Sequence, residues 1–237
     1  MSDPTIVFED ESILVLDKPT GWVVNDAKTA HGNPILQNWL KERFVYELSN
    51  NVEKRSGIVH RLDKETSGLL VIAKTEKVFN DLQKQFKDRV VKKKYTALVH
   101  GKVRNTSGII SASVGRLPWN RERFGVITSG KNAETGYELI GLHKDMSNDY
   151  YSLLKLSPKT GRTHQIRIHL KYLGYPIVSD SFYAGRKTSR KDRLWCKRLF
   201  LHAGKITFTH PVKKILVSFE SPVPADLLSS LSGLIPV

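Results

Sequence analysis

The stretch "GIVHRLDKETSGLLVIAKT", Gly57 to Thr75, carries a charged cluster, His60-Arg61-Leu62-Asp63-Lys64-Glu65, through Thr66-Ser67-Gly68 into the apolar run Leu69-Leu70-Val71-Ile72-Ala73. That run is too short and too evenly apolar for a surface helix, and it reads as a buried strand. An arginine and an aspartate two residues apart therefore stand at the mouth of a strand that the core must cover. Upstream, Ile6–Phe8 and Ile13–Leu16 flank the polar turn Glu9-Asp10-Glu11-Ser12 and read as a hairpin, which Lys18-Pro19-Thr20-Gly21 breaks off. Between Pro34 and Phe44, the positions of Ile35, Leu36, Trp39 and Leu40 have helical spacing. Downstream, "EKVFNDLQKQF" sets Val78, Phe79, Leu82 and Phe86 on one helical face. "KKYTALVHGKV" then returns to two-residue alternation, with Tyr95, Ala97 and Val99 on one side.

Further along, "GIISASVG", "AETGYELIGLH" and "DYYSLLKLS" are strand-like, and "RLPWNRERFGVITSGKN" between the first two reads as a long loop. "GRTHQIRIHLKYLG" predicts a helix with Ile166, Leu170 and Leu173 on one face, Thr163 as N-cap and Gly174 as the stop. "LFLHAGKITFTHPVKKILVSFESP" reads as a second hairpin turning at His210-Pro211. Strands joined mostly by hairpins, with a few helices, make an α+β fold around a largely antiparallel or mixed central sheet with flanking helices. The 237 residues suffice for one domain over 1–237, or two closely packed lobes.

With 40% hydrophobic and 9% aromatic residues the chain is a folding one, and its net charge of +15 favours a polyanionic partner. No apolar run reaches the ~18 residues that span a bilayer, and the N-terminus lacks the features of a signal peptide. No membrane partner and a cytoplasmic location are expected. The single cysteine, Cys196, excludes an intrachain disulfide and a multi-cysteine metal site. It sits in a basic, surface-like segment. Of eight histidines, His164 and His169 are near neighbours, but their spacing does not put both on one helical face, and no HExxH occurs. No metal is expected, and His60 and His202 read as hydrogen-bonding framework residues.

An isolated Arg-x-Asp is most often a surface ion pair worth under ~1 kcal/mol. At the edge of a core the balance changes. A partly desolvated carboxylate drifts toward protonation unless a cation keeps it ionised, and a nucleophilic or basic aspartate needs that charged, water-poor setting. Arg162, His164, Gln165, Arg167 and His169 crowd the start of the later helix, either as a solvated basic face or as a site. Arg167 lies between Ile166 and Ile168, so it is partly buried and wants a carboxylate, for which Asp63 is the natural candidate.

"HRLDKETSGLLVIAK", "KKYTALVHG", "TGRTHQIRIHL" with "GYPIVSD", and "LHAGKITFTHP" resemble, in order, the blocks of the RluA-type pseudouridine synthases, which modify ribosomal and transfer RNA. The resemblance runs from "ESILVLDKPTGWVV" to "FESP", nearly the whole chain. It implies the fold of that family with an active-site cleft across the sheet, no cofactor, and isomerisation of uridine in structured RNA. It also implies that Asp63 is the catalytic aspartate, that Arg61 enters the RNA stack where the uridine leaves, that Tyr95 stacks on the uracil, and that Arg167 keeps Asp63 ionised. Leu69 and Ile166 line the apolar pocket in this reading.

The basic segments "DLQKQFKDRVVKKK", with Lys93 and Lys94, and "GRKTSRKDRLWCKR" suit phosphate contacts. The loop "GRLPWNRERFG", with Trp119, Arg121 and Phe124, suits RNA as well, as do Arg162 and His164. Many relatives carry a small RNA-binding module ahead of the catalytic part, and no such N-terminal module is expected here. "VVNDAKTAHGNP" departs from the family's wording. A monomer is expected. The competing readings are a catalytically idle RNA-binding or assembly protein on the same fold, and a metal-dependent nuclease, which would need a carboxylate cluster.

Overall fold

A computed structural model describes residues 2–25 and 32–237, with the side chains of 121 and 122 excepted. In chain order, the N-terminal elements are β1 (Thr5–Glu9), β2 (Ile13–Lys18), α1 (Leu36–Arg43), β3 (Ser67–Ala73), α2 (Glu76–Lys87) and β4 (Lys92–His100). Then come β5 (Ser107–Ser111), β6 (Val114–Leu117), β7 (Asn120–Val126), β8 (Glu134–Lys144), β9 (Tyr150–Pro158) and α3 (Gln165–Tyr172). The chain closes with α4 (Arg186–Asp192), β10 (Leu201–Thr209), β11 (Leu216–Glu220), α5 (Ala225–Ser232) and β12 (Ile235–Pro236). Two compact units divide them, the first Met1–Lys92 with Ala203–Ser221, the second Lys93–His202 with Pro222–Val237.

The first unit is a sheet ordered β1-β2-β3-β10, with β11 paired to β10. β1 and β2 form the antiparallel hairpin expected of the two N-terminal apolar runs. All seven residues of β3 are buried, which explains why the run shows no polar alternation. α2 lays Val78 and Leu82 onto Leu69, Val71 and Ala73, with Phe79 and Phe86 packed at the margin. Thr75 caps its N-terminus by accepting from Val78 N. Gly68 sits at φ +120°, and a Cβ there would run into the backbone of Ala203, so only glycine lets β10 approach.

The second unit orders its strands β4-β9-β8-β12, with β5 also on β8. β4 pairs with β9 and β8 with β9, all antiparallel. Its core gathers Leu98, Leu154, Leu156, Leu170, Phe200 and neighbours.

Several expectations need correction here. The segment read as a long loop is the β6–β7 hairpin, paired Val114↔Val126 to Leu117↔Asn120. Its arginines disguise an apolar face: Val114 is buried with Ile168 and Tyr183, and Phe124 and Val126 pack against them. "GIISASVG" is accordingly split between β5 and β6. Thr163 does not cap α3; the N-cap is His164 in the left-handed region, φ 54°, ψ 20°. Leu173 is exposed, because α3 ends at Tyr172 and Gly174 turns the chain away at φ +89°. Cys196 is fully buried rather than at the surface. The turns after α4, with Trp195 N and Cys196 N donating to Asp192 O, rotate it into the core of the second unit, and burial pushes its thiol pKa up. Residues 26–31 of the segment "VVNDAKTAHGNP" lie outside the described residues.

Candidate active site

Asp63 sits half-buried in the turn that feeds β3, while Arg61 two residues earlier is exposed. Thr66 N donates to Asp63 O at 3.1 Å and closes the turn. A second chain segment clamps it. Gly21 N donates to Lys64 O at 2.8 Å, and Thr20 Oγ1 donates to Glu65 O at 2.9 Å. The Lys18 ammonium, 0% exposed, donates to Lys64 O, Pro19 O and Trp22 O at 3.3, 2.9 and 3.2 Å. Lys18 is also the last residue of β2, opposite Gly68 of β3. The lysine thus replaces its lost hydration with carbonyls from both segments. His60 accepts from Val71 N through Nε2 at 3.0 Å and stacks on Phe86, a framework role as expected.

Lys18 was invisible in the sequence as anything but a strand terminus, since lysine at a turn is normally solvated. Its removal is a test. Lys18→Met should lower the unfolding free energy by about 2–4 kcal/mol, because the cost of stranded carbonyls exceeds what the apolar side chain recovers. It should also reduce activity through the loosened turn at Asp63. Urea denaturation beside the activity assay checks this, and unchanged values in both would contradict the clamp.

In the second unit, α3 begins with a buried polar network. Gln165 Nε2 donates to Glu134 O and Thr135 Oγ1 at 3.0 and 2.9 Å, and its Oε1 accepts from Thr160 Oγ1 and Arg162 N at 2.7 and 3.0 Å. His169 Nε2 faces Ala112 O at 3.0 Å, which makes it the protonated nitrogen, so Nδ1 accepts from Thr135 at 2.9 Å. Burial lowers the pKa of this imidazole, so it stays neutral. The network fixes the left-handed step at His164, a strained conformation of the kind that collects at functional sites. His164 Nδ1 lies 3.0 Å from the Tyr183 hydroxyl, and its ring stands among Phe124, Phe182 and Tyr183.

Arg167 is 3% exposed, so the reading of this helix as a solvated basic face is excluded. Its Nε and Nη2 fork onto Asp180 Oδ2 and Oδ1, each at 2.8 Å. Phe182 and Tyr183 place their rings 5.4 and 5.1 Å from the guanidinium carbon. Asp180 Oδ1 also accepts from Phe182 N and Tyr183 N at 2.9 and 3.1 Å. Sequence reasoning sought a carboxylate for Arg167 and named Asp63; it missed Asp180, thirteen residues beyond Arg167 and across a helix stop.

The other expected residues are placed as follows. Tyr95, on β4 opposite Leu156, packs half-buried against the core cluster that holds Ile166. Leu69 is buried in the first unit's core. Lys94 is exposed and Lys93 half-buried, and burial brings the Lys93 ammonium down to about 8. Arg162 donates from Nε to Asn132 O at 3.3 Å. The Arg121 side chain lies outside the described residues.

Comparison with known proteins adds an independent finding. A sequence model of the family described as RNA pseudouridylate synthase matches residues 12–172. The uncharacterized RNA pseudouridine synthase YlyB of Bacillus subtilis is 38% identical over 232 residues, covering 98% of this chain and 73% of the relative. Ribosomal large subunit pseudouridine synthase D of Nitrosomonas europaea is 40% identical over 233 residues, covering 97% and 64%. The chain thus spans about two thirds to three quarters of the length of these relatives. Among solved structures, human RNA pseudouridylate synthase domain containing 1 superposes with a TM-score of 0.77 at 27% identity, over 99% of this chain and 89% of that one.

Proposed function

Because the chain belongs to the RNA pseudouridylate synthase family, we propose that it isomerises uridine in structured RNA, with ribosomal RNA as the substrate class and Asp63 as the catalytic carboxylate. In this reaction the N1–C1′ bond breaks with its electron pair on the uracil, the base turns, C5 bonds to C1′ and gives up its proton, and N1 takes up a proton, so that the product is an isomer of the substrate. Nothing is oxidised or reduced, so the chemistry calls for no redox cofactor. Asp63 either attacks C1′ or removes the C2′ proton on a glycal route, and both need it ionised.

The observation that carries this reading is the mounting of Asp63. Its turn is pinned by three donors from a separate segment and continues into a fully buried strand, so the backbone that carries the carboxylate is held in place before substrate arrives. Arg167, which the resemblance makes the cation opposing protonation of Asp63, is likewise fixed in advance by Asp180. The resemblance gives Tyr95 the uracil face, Arg61 the gap left in the RNA stack, and Leu69 and Ile166 the lining of an apolar pocket. Taking the uridine out of its stack costs a few kcal/mol. The exposed cations, together with Lys93, Arg162 and His164, meet the phosphates and the neighbouring bases. The copies of human and bacterial relatives named for this activity support the reading, as do the four sequence blocks.

The test is carbodiimide adduct mapping of ribosomal RNA from cells with and without the gene. One or a few uridines should lose their adduct stop in the deletion, and regain it when the gene returns. An identical adduct pattern in all three strains would overturn the proposal.

Lys93 adds a pH dependence. With its pKa brought down to about 8 by burial, the ammonium is charged at pH 7 and neutral above pH 9, so RNA affinity should fall as pH rises through that window. Lys93→Arg keeps its charge throughout and should flatten the trend. Equal slopes in the two proteins would remove Lys93 from the RNA contact.

A further inference from the structure

We propose that Phe182 is a stacking platform for a nucleobase that flanks the target uridine, a binding position separate from the uracil pocket. It rests on the functional reading above, through Arg167. Phe182 is 43% exposed, an unusual place for phenylalanine beside an arginine that is 3% exposed. The guanidinium carbon stands over the ring, 5.4 Å from its centroid, and the exposed part of the side chain is where a planar partner would meet it.

The platform is preorganised. Phe182 N donates to Asp180 Oδ1 at 2.9 Å, and Phe182 O accepts from Arg123 Nη1 at 3.4 Å, so the backbone is held from both sides. His164 meets the ring in a T-shaped contact at 5.8 Å, and Tyr183 lies 6.3 Å away. A ring held in this way loses little freedom when a base stacks on it, and the gain appears as affinity. The surrounding charge selects the partner. Arg116 and Arg123 are exposed, and Arg162 is half-buried in the loop just ahead of the helix that carries Arg167. An aromatic face among arginines fits single-stranded RNA, whose backbone the cations attract and whose bases the ring takes up without sequence reading. An apolar protein partner would not call for this ring of cations.

The position also suits the reaction. The same Asp180 carboxylate orients both Arg167 and the Phe182 backbone, so a base on Phe182 would register the RNA against the residue that serves the chemistry. Holding the neighbour of a flipped uridine stabilises the opened strand, which otherwise recloses.

The experiment uses the full chain and a ribosomal RNA fragment containing the uridine found by adduct mapping. Phe182→Leu should raise KM about tenfold with the loss carried by KM rather than kcat, and Phe182→Trp should keep KM near wild type. An abasic nucleotide beside the target should weaken wild-type binding about tenfold at one of the two flanking positions, and weaken Phe182→Leu no further. Losses that simply add, a wild-type KM in Phe182→Leu, or a pure kcat effect would overturn the platform. So would wild-type protein that ignores abasic sites on both sides, a result that needs no variant. If wild-type protein forms no pseudouridine, the functional reading fails instead, and the equilibrium binding of the same fragments still decides the role of Phe182.

Discussion

Asp63→Asn is expected to abolish pseudouridine formation, with a loss of roughly 10⁴-fold or more, in a protein that still folds and still binds RNA. The amide matches the carboxylate in shape but is neither a nucleophile nor a base, and removing a group that acts in the bond-breaking step costs rates of that order. The fold survives because the turn is closed by main-chain bonds and by Lys18, Gly21 and Thr20, with Asp63 contributing its carbonyl. Single-turnover assays with enzyme in excess, beside adduct mapping in a strain carrying only the variant, measure the effect. Activity within tenfold of wild type would defeat the assignment of Asp63.

Arg167→Met carries the second large effect, and it acts on stability and on rate. Asp180 is 0% exposed, and the substitution strands its charge without the fork that now neutralises it. Breaking a buried pair from one side costs about 3–5 kcal/mol. Adding Asp180→Asn should return at least half of that, since the amide oxygen can still accept from Phe182 N and Tyr183 N while no buried charge remains. Turnover should stay low in the double variant, because restored folding does not replace the guanidinium. Chemical denaturation, RNA affinity and turnover, measured on the same three proteins, separate the two effects. Equal losses of affinity and turnover would make Arg167 a phosphate contact, and a double variant no more stable than the single would contradict the buried pair.

Where a single periodicity dominates, the sequence and the structure agree. β3 is apolar from Leu69 to Ala73 because both its faces are covered, and α2 shows its stripe because one face meets β3 and the other meets solvent. The disagreements share a cause, which is that composition masks geometry. The β6–β7 hairpin hides its apolar face, Val114, Phe124 and Val126, behind arginines and a Pro118-Trp119 turn. Cys196 stands between Trp195 and Lys197 in sequence, yet one helical turn carries it into the core. Of the candidate site, the sequence offers the motif-borne residues as expectations, and it gives no sign of the residues that hold their segments. Lys18 and Asp180 act through bonds to distant carbonyls and to a guanidinium thirteen residues away, and neither linkage leaves a spacing in the chain.

The division of the chain has a bearing on how the protein is made. The first unit takes β11 and most of β10 from Ala203–Ser221, while the whole of residues 93–202 belongs to the other unit. At ordinary synthesis rates, about 5–20 residues per second, the N-terminal segment waits on the order of ten seconds for its missing strands. Throughout that interval the edge of β3 that β10 will cover is open, and such an edge is a template for pairing with another nascent chain. Translation pauses placed before residue 203 should therefore lower the soluble fraction.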